Sequence, residues 1–354
     1  MKKTSKIMSL VLAGAMVLSM TACAGNTAET TSAAAKTQET AADTASKAEE
    51  TNGAEASESE TAAKAEGTTY KIGVLQLVQH TALDAANDGF IAALDDAGIA
   101  YEVDQQNASG DQSACQTVAS KFANEKKDLI LAIATPAAQA MVGAVEDTPV
   151  LITAVTDPAE SGLVDTNEKP GANVTGTSDL TPVKEQIDLL KQLVPEAKTV
   201  GVLYCSAESN SKIQADMAKE AIAAAGMESK EYTVSSSNEI QTVVQSMVGA
   251  VDAVYAPTDN VIAAGMATVG MVAGDNNLPV ICGEAGMVQN GGLATYGIDY
   301  YQLGYMTGQQ AVKILTEGAS PADMPIEYLP AEKCELTVNE ETAQTLGIDV
   351  SGLK

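Results

Sequence analysis

Short apolar runs alternate with amphipathic stretches along the chain from Tyr70 onward. The apolar runs predict strands at 71–77, 101–106, 128–134 and 149–155, and the amphipathic stretches predict helices at 82–97 and 111–124. Several of the runs, such as DLILAIA (128–134), have no polar residue after the first position, as in strands that are buried on both faces. This alternation predicts a parallel sheet covered by helices on both faces.

The same series is repeated in the second half of the chain. Strands are predicted at 198–205, 227–234 and 252–256, with helices at about 209–225 and 238–248 between them. The duplication is clearest at the third strand of each half. There, DLILAIATPAAQAMV (128–142) and DAVYAPTDNVIAAGM (252–266) both run from Asp through a strand into a Pro/Thr turn and an Ala-rich helix. Two such halves predict an α/β fold with two similar, doubly wound lobes.

The first 23 residues have the pattern of a lipoprotein signal peptide. Lysines precede an apolar run at 7–20, which ends at Thr21-Ala22-Cys23 and is short for a membrane-spanning helix. We therefore expect lipidation at Cys23, with the protein anchored by lipid on the extracytoplasmic face of the cell membrane. The alternative is an ordinary signal peptide that is cleaved near Ala22 and leaves Cys23 unmodified.

Residues 24–67 lack any hydrophobic periodicity, because Ala, Thr, Ser and Glu dominate the segment. Such a composition buries too little apolar surface to offset the entropy of ordering, so we predict a disordered acidic tether. The remaining 68–354 exceeds the usual size of a single hydrophobic core, in agreement with two lobes.

The charge of the chain narrows the possible ligands and partners. The net charge is −27, and all 20 basic residues are lysines. Nucleic acid is therefore excluded as an expected partner, since nothing provides a basic face. Without arginine, a bound anionic group must be held by backbone N–H groups, hydroxyls, amides or lysine.

Neither a metal or cofactor site nor a catalytic set is expected. The four cysteines after Cys23 form no CxxC pair, and we interpret Cys205 and Cys282 as buried free thiols. His80 is the single histidine, and no nucleophile elbow or phosphate-binding loop accompanies it. The chain is therefore not expected to be an enzyme.

Several co-linear motifs carry a resemblance to a known family. They are TAVTDP (153–158), GANVTGTSD (171–179), VGVLY (200–204) with ESNS (208–211), VYAPTDN (254–260) and ATYGIDYYQLGYMTG (294–308). From about Tyr70 to Ile348 the chain resembles the substrate-binding lipoproteins of ABC importers, in particular the group with members that bind tryptophan or other aromatic amino acids. Two departures lie in the crevice: Thr81 follows His80 where relatives have proline, and Cys205-Ser206-Ala207 replaces an Asn-Pro-Ser type of turn.

The resemblance implies a type I periplasmic-binding-protein fold, in which three crossing strands form a hinge between two lobes. By that pattern lobe 1 comprises 68–180 plus 285–318, and lobe 2 comprises 181–284 plus 319–354. It also implies a monomer that closes on a small-molecule ligand and delivers it to an ABC permease with its ATPase.

Ligands of open parallel sheets bind beyond the carboxyl ends of the strands, so the candidate residues lie in the turns that follow each strand. The candidates are Gln76, His80, Thr135, Ala137, Asp157, Ser206, Ser209, Asn210, Asp259, Asn260, Glu284, Tyr296 and Asp299. Helix starts after Thr135, at Ala137, and near Ser209 suit a carboxylate. Asp157, Asp259 or Asp299 suits an ammonium, and Tyr296 suits a flat ligand. Helix capping and chain turning are the alternative roles of these residues.

The favoured function is capture of a small zwitterionic ligand, an aromatic or large apolar amino acid, for import. Three alternatives remain open at the sequence level: a membrane-anchored sensor or binding lipoprotein without a transport role, an importer receptor for a sugar or nucleoside, and a secreted hydrolase. No strand-end turn pairs a nucleophile with a base, which disfavours the hydrolase.

Overall fold

The computed structural model describes residues 67–353. The predicted signal peptide, the lipidation at Cys23 and almost all of the predicted tether lie outside the described residues. Within 67–353, no helix is both long enough and apolar enough to span a bilayer.

The described chain begins with a βα series. Its elements are β1 (Tyr70–Gln76), α1 (Thr81–Asp96), β2 (Tyr101–Asn107), α2 (Gln112–Glu125), β3 (Leu129–Ile133), α3 (Thr135–Val142), β4 (Val150–Val155) and β5 (Val174–Ser178). Both β3 and β4 are buried at every position, as expected for strands covered on two faces.

A second βα series follows. It comprises α4 (Val183–Leu193), β6 (Thr199–Cys205), α5 (Ser209–Ala224), β7 (Glu228–Val234), α6 (Ile240–Met247), β8 (Ala253–Ala256), α7 (Asn260–Ala264), α8 (Met266–Asp275), β9 (Val280–Cys282), α9 (Ala285–Gln289) and β10 (Ala294–Gly297). The chain ends with α10 (Tyr300–Glu317), β11 (Glu327–Tyr328), β12 (Glu335–Val338) and α11 (Glu340–Leu346).

The strands form two six-stranded sheets, one in each lobe. The first has the order β2-β1-β3-β4-β5-β11 and the second the order β7-β6-β8-β9-β10-β12. All paired strands are parallel except β12, which runs antiparallel to β10. The predicted fold of two parallel-sheet lobes is confirmed, and the two halves repeat the same order of their first four strands.

The repeat extends to the residue that precedes the third strand of each lobe. The Asp128 carboxylate accepts a hydrogen bond from the backbone N–H of Lys71 at 2.8 Å. The Asp252 carboxylate accepts hydrogen bonds from the N–H groups of Lys198 and Thr199 at 2.9 and 2.8 Å. Each aspartate thus joins the start of its third strand to the start of the first strand beside it, which keeps the two strands in register.

Two of the predicted lobe boundaries differ from the structure. We placed 285–318 in lobe 1, but β10 pairs with β9 and β12, so α9 and β10 belong to lobe 2 and the chain returns at 298–299. We placed 319–354 in lobe 2, but β11 pairs with β5 in the first sheet, so the last crossing lies at 329–334. The first crossing, at 179–182, follows β5 and leads into α4.

Lobe 1 is completed by α10, which packs lengthwise against α1. Glycines make this close approach possible: a Cβ at Gly89 would meet the carbonyl oxygen of Tyr301, and one at Gly304 would meet that of Ala86. Phe90 and Leu303 are fully buried in the same core. Because α10 starts at the return crossing, this packing fixes its first residue, the buried Tyr300, close to Asp179, to which its hydroxyl donates.

Candidate ligand-binding site

A cavity lies between the lobes, at the carboxyl ends of the strands. Lobe 1 lines it with His80, Leu83, Ala154, Asp179 and Tyr300, and lobe 2 lines it with Asn210, Thr258, Asp259, Asn260, Ala263 and Glu284. Its volume is about 10 Å³, which is the room that one water molecule needs. Asn260 also borders a more open groove of about 520 Å³ between the lobes. A ligand larger than water therefore enters the central cavity only if the lobes separate.

Hydrogen bonds between the lobes hold the cleft shut. His80 Nε2 lies 3.3 Å from Asn260 Oδ1, and Gln214 Nε2 donates to Thr156 Oγ1 at 3.0 Å. Nearer the rim, Gln139 Nε2 donates to Ser209 Oγ at 3.3 Å. These contacts join groups from both lobes, so they form only when the lobes approach, and the structure represents a closed state.

On the lobe 2 side, two carboxylates occupy the start of α7. Asp259 caps the helix, accepting from the backbone N–H of Ile262 at 2.8 Å, and also accepts from the N–H of Cys205 at 2.5 Å. Glu208 accepts from the Asn260 side-chain amide at 2.6 Å and from the Val261 N–H at 3.2 Å. The hydrogen-bond donors to both carboxylates come from lobe 2 itself, so this arrangement does not depend on closure.

Burial makes ionisation of both carboxyls costly. It raises the pKa of Glu208 to about 8, and the charge of Asp259 adds to this rise. Burial likewise raises the pKa of Asp259, against the lowering effect of its backbone hydrogen bonds. Two carboxylates at one helix start repel each other, so the pair retains a proton at neutral pH when no cation lies beside it.

A second carboxyl pair lines the cavity from opposite lobes. Asp179, at the end of β5, accepts from the Tyr300 hydroxyl at 2.8 Å and from Thr156 Oγ1 at 3.2 Å. Glu284 caps α9, accepting from the N–H groups of Gly286 and Met287. Burial raises the pKa of Asp179 to about 6 and that of Glu284 to about 7, and the Asp179 charge contributes to the rise at Glu284.

The lobe 1 side presents a helix start without a protein carboxylate. At the N-terminus of α3, Ala134 has a φ of 82°, and no side chain caps the helix. The Thr135 hydroxyl is buried and has no hydrogen-bond partner. First-turn N–H groups without a capping side chain, together with an unpartnered hydroxyl, are suited to an anionic group.

His80 is neutral in this site. The Asn260 amide nitrogen faces Glu208, which leaves its oxygen toward His80 Nε2, so Nε2 carries the ring hydrogen. Burial lowers the pKa of His80, which favours the uncharged ring. The other ring nitrogen, Nδ1, is buried without a partner.

Five of the predicted site residues line the cavity: His80, Asn210, Asp259, Asn260 and Glu284. Thr135 and Ala137 lie at the start of α3, and Ser209 lies on the rim. Gln76 does not line the cavity. Its side-chain amide donates to nearby groups of the same lobe, Val78 O at 2.9 Å and Asp84 Oδ1 at 2.7 Å.

Four other candidates lie elsewhere. Asp157 holds a turn, accepting from the N–H groups of Ala159 and Glu160, both at 3.1 Å. Ser206 is exposed, and its hydroxyl donates to Val234 O. Asp299 is an exposed cap of α10, and Tyr296 contributes its backbone oxygen to Gln186. Their local hydrogen bonds account for these positions, and none of the four lines the cavity.

Sequence reasoning did not include Asp179, Glu208 and Tyr300 among the candidates. Asp179 ends the motif GANVTGTSD, Glu208 begins ESNS, and Tyr300 lies within the motif at 294–308, so all three were in recognised strings. The available signal was that Asp179 and Glu208 are acidic residues within these motifs, which identifies their positions but not their burial.

The described residues show no grouping of His, Cys, Asp and Glu side chains that could hold a metal ion. Cys115, Cys205, Cys282 and Cys334 are free, and the first three are buried. Cys205 and Cys282 lie on β6 and β9, which flank β8, in agreement with their interpretation as buried thiols.

Comparison with known proteins identifies the family of the chain. The sequence profile of the family described as ABC transporter substrate binding protein matches residues 71–352. The chain belongs to this family. It is 41% identical over 351 residues, covering 98% of its own length and 93% of the relative, to the tyrosine-binding protein of Clostridioides difficile strain R20291.

Two solved structures represent related proteins. One is an ABC domain in complex with L-Trp from Streptococcus pneumoniae, with 40% identity, a TM-score of 0.77, and coverage of 80% of this chain and 96% of that one. The other is a ligand-free, open structure of a Clostridium difficile substrate binding protein with adhesive properties, with 46% identity, a TM-score of 0.62, and coverage of 81% and 97%. The lower TM-score with the open structure, despite its higher identity, agrees with the closed cleft described above.

Proposed function

We propose that this ABC transporter substrate-binding protein captures a zwitterionic aromatic amino acid between its lobes and delivers it to an ABC permease. The observation that carries the proposal is the opposite polarity of two corresponding helix starts. The start of α3 in lobe 1, whose Pro136 borders the open groove, has no capping side chain, whereas the start of α7 in lobe 2 is capped by Asp259, which lines the central cavity with Glu284. An amino acid spans such a cleft with its carboxylate toward lobe 1 and its ammonium toward lobe 2.

The aromatic side chain is proposed from two further facts. A tyrosine-binding relative is 41% identical over nearly the whole chain, and a related structure contains L-Trp. The groove that Asn260 shares with the central cavity has apolar residues such as Leu77, Val78 and Pro136 along it, which suit an aromatic ring.

The cellular setting is part of the same proposal. Lipidation at Cys23 anchors the chain on the extracytoplasmic face of the membrane, and the monomeric protein presents its closed, loaded form to a permease driven by an ATPase. No catalytic role is proposed. Cys23→Ser is expected to abolish incorporation of labelled fatty acid and release the protein from the membrane fraction, and a Cys23→Ser protein that still incorporates the label contradicts the anchor.

Ligand binding is tested by thermal shift with the purified protein and a panel of amino acids, sugars and nucleosides. A ligand at one hundred times its Kd stabilises the folded state by about 2.7 kcal/mol. Because the chain contains no Trp, free tryptophan provides the only indole emission, and its change on mixing reports binding directly. Stabilisation by a sugar or nucleoside, with tryptophan, tyrosine and phenylalanine inactive, contradicts the proposed ligand class.

A further inference from the structure

The closed cleft gathers four carboxyl groups without a basic partner. Asp179, Glu208, Asp259 and Glu284 are each at most 4% exposed, and no lysine lines the cavity that three of them border. An isolated carboxylate in such surroundings pays a large desolvation cost, so the group takes up a proton or pairs with a cation.

Unpartnered acceptors on the same cavity point to a cationic ligand group. Asn210, which is 2% exposed, has a side-chain oxygen with no hydrogen-bond partner, although its amide nitrogen bonds the Glu208 carboxylate. His80 Nδ1 is also buried and unpartnered, and in the neutral ring it is an acceptor. A ligand ammonium supplies three N–H donors to such a surface.

We propose that the ammonium group of the bound amino acid replaces a proton held by this carboxyl cluster, so that ligand binding releases about one proton to solvent at neutral pH. The proton leaves a carboxyl O–H for a buffer base, and no covalent bond to the ligand forms or breaks. The inference rests on the proposed function and adds a pH dependence to it.

The other titratable groups near the cavity do not exchange protons in the neutral range. Burial raises the pKa of Cys205 to about 12 and raises those of Tyr300 and Cys282 well above their ordinary values. His80 on α1, with the Asp84 carboxylate near it, is held toward the neutral form by burial. The carboxyls of α5, α7, α9 and the end of β5 are therefore the groups that exchange.

Among these, Glu208 is the principal proton holder. Burial raises its pKa to about 8, the highest value among the three carboxyls that carry one, so in the closed cleft without a ligand it holds a proton at pH 7. The ammonium beside Asp259 and Asn260 favours the ionised form of the pair and lowers this pKa. Ligand affinity consequently increases as the pH rises from 5 to 8.

The test is titration calorimetry of the purified protein with L-tryptophan at pH 7, in phosphate and in Tris, whose ionisation enthalpies differ. We expect the binding heats to differ by the amount that about one released proton requires. Glu208→Gln should reduce the release to less than half. Glu220→Gln, which changes an exposed carboxyl on the same helix, should leave it unchanged.

Equal heats in the two buffers, with binding intact, overturn the proton exchange and leave the proposed function standing. A complete absence of binding to every amino acid overturns both. Should Glu208→Gln fail to fold, the wild-type protein still decides the matter: its affinity for tryptophan should rise roughly tenfold from pH 6 to pH 7. A constant affinity over that interval contradicts the inference.

Discussion

The helices α3 and α7 follow the third strand of their respective lobes and derive from matching sequence, yet they present opposite polarity to the cleft. Asp128 and Asp252 hold the two preceding strands in the same way. At α3 the helix starts from Ala134 with no side-chain cap, and the hydroxyl of Thr135 is free. At α7 the corresponding start is filled by Asp259 and approached by Glu208.

This difference shows how a duplicated fold can acquire an oriented binding site. In both lobes the helix that follows the third strand begins at the cleft, because parallel strands end at the same edge of the sheet. Lobe 2 neutralises that N-terminus with its own carboxylates, whereas lobe 1 leaves it available. We therefore expect a zwitterion to be bound in one orientation, without any arginine.

The largest expected effect comes from removing the charge on the lobe 2 side. Asp259→Asn keeps a residue that caps helices well, so the fold should persist, while the ligand ammonium loses its charged partner. We expect the affinity for tryptophan to fall by about 10- to 100-fold, measured by calorimetry. Asp299→Asn, at the exposed cap of α10, is the matched control and should change affinity little. Similar losses for the two variants would contradict the assignment.

The buried carboxyls of the cleft are expected to make the stability of the folded protein depend on pH. Burial raises the pKa of Asp179 to about 6, of Glu284 to about 7 and of Glu208 to about 8, so the folded, ligand-free protein binds more protons than the unfolded chain above pH 4. Stability is therefore lost as the pH rises toward 8. The melting temperature should fall by several degrees between pH 5 and pH 8, and an unchanged or rising value contradicts the raised pKa values.

The lobe 1 side is tested by Thr135→Val, which removes the free hydroxyl while keeping the shape of the side chain. If that hydroxyl meets the ligand carboxylate, affinity should fall by roughly three- to tenfold, while stability stays the same or rises. Thr181→Val removes another buried, unpartnered hydroxyl, which lies at the first crossing rather than at the start of α3, and should leave affinity unchanged. An unaltered affinity in Thr135→Val would contradict the assignment of the ligand carboxylate to the start of α3.

The smallest effect is expected at the rim. Gln139 donates to Ser209 at 3.3 Å in a partly exposed position, so Gln139→Ala should weaken ligand binding less than about threefold. Fluorescence titration of tryptophan measures this change directly. A loss as large as that of Asp259→Asn would mean that closure depends on the rim rather than on the buried groups.

Much of the fold could be predicted from the sequence because the long buried strands and their repeated order leave a strong pattern. The two boundary errors involve β10, with four residues, and β11, with two. Strands this short carry no periodicity that specifies which sheet edge they join. Their lobe is decided by pairing with strands distant in sequence, β12 for β10 and β5 for β11.

The candidate site was predicted less completely, for a different reason. Capping residues such as Asp259 and Asn260 could be identified from their place after a strand, whereas Asp157 has the same signature and holds a turn instead. The importance of Glu208 and Asp179 arises from burial and from their pairing with other carboxyls. Both properties depend on residues far apart in sequence, and no local pattern encodes them.

The oriented zwitterion is tested most directly by comparing tryptophan with two analogues that each lack one charge. Tryptamine lacks the carboxylate that we assign to lobe 1, and indole-3-propionate lacks the ammonium that we assign to lobe 2. Calorimetry of the three compounds should show tight binding of tryptophan alone, with each analogue weaker by roughly 100-fold or more. Binding of either analogue as tight as that of tryptophan would contradict the opposite polarity of the two helix starts, α3 and α7.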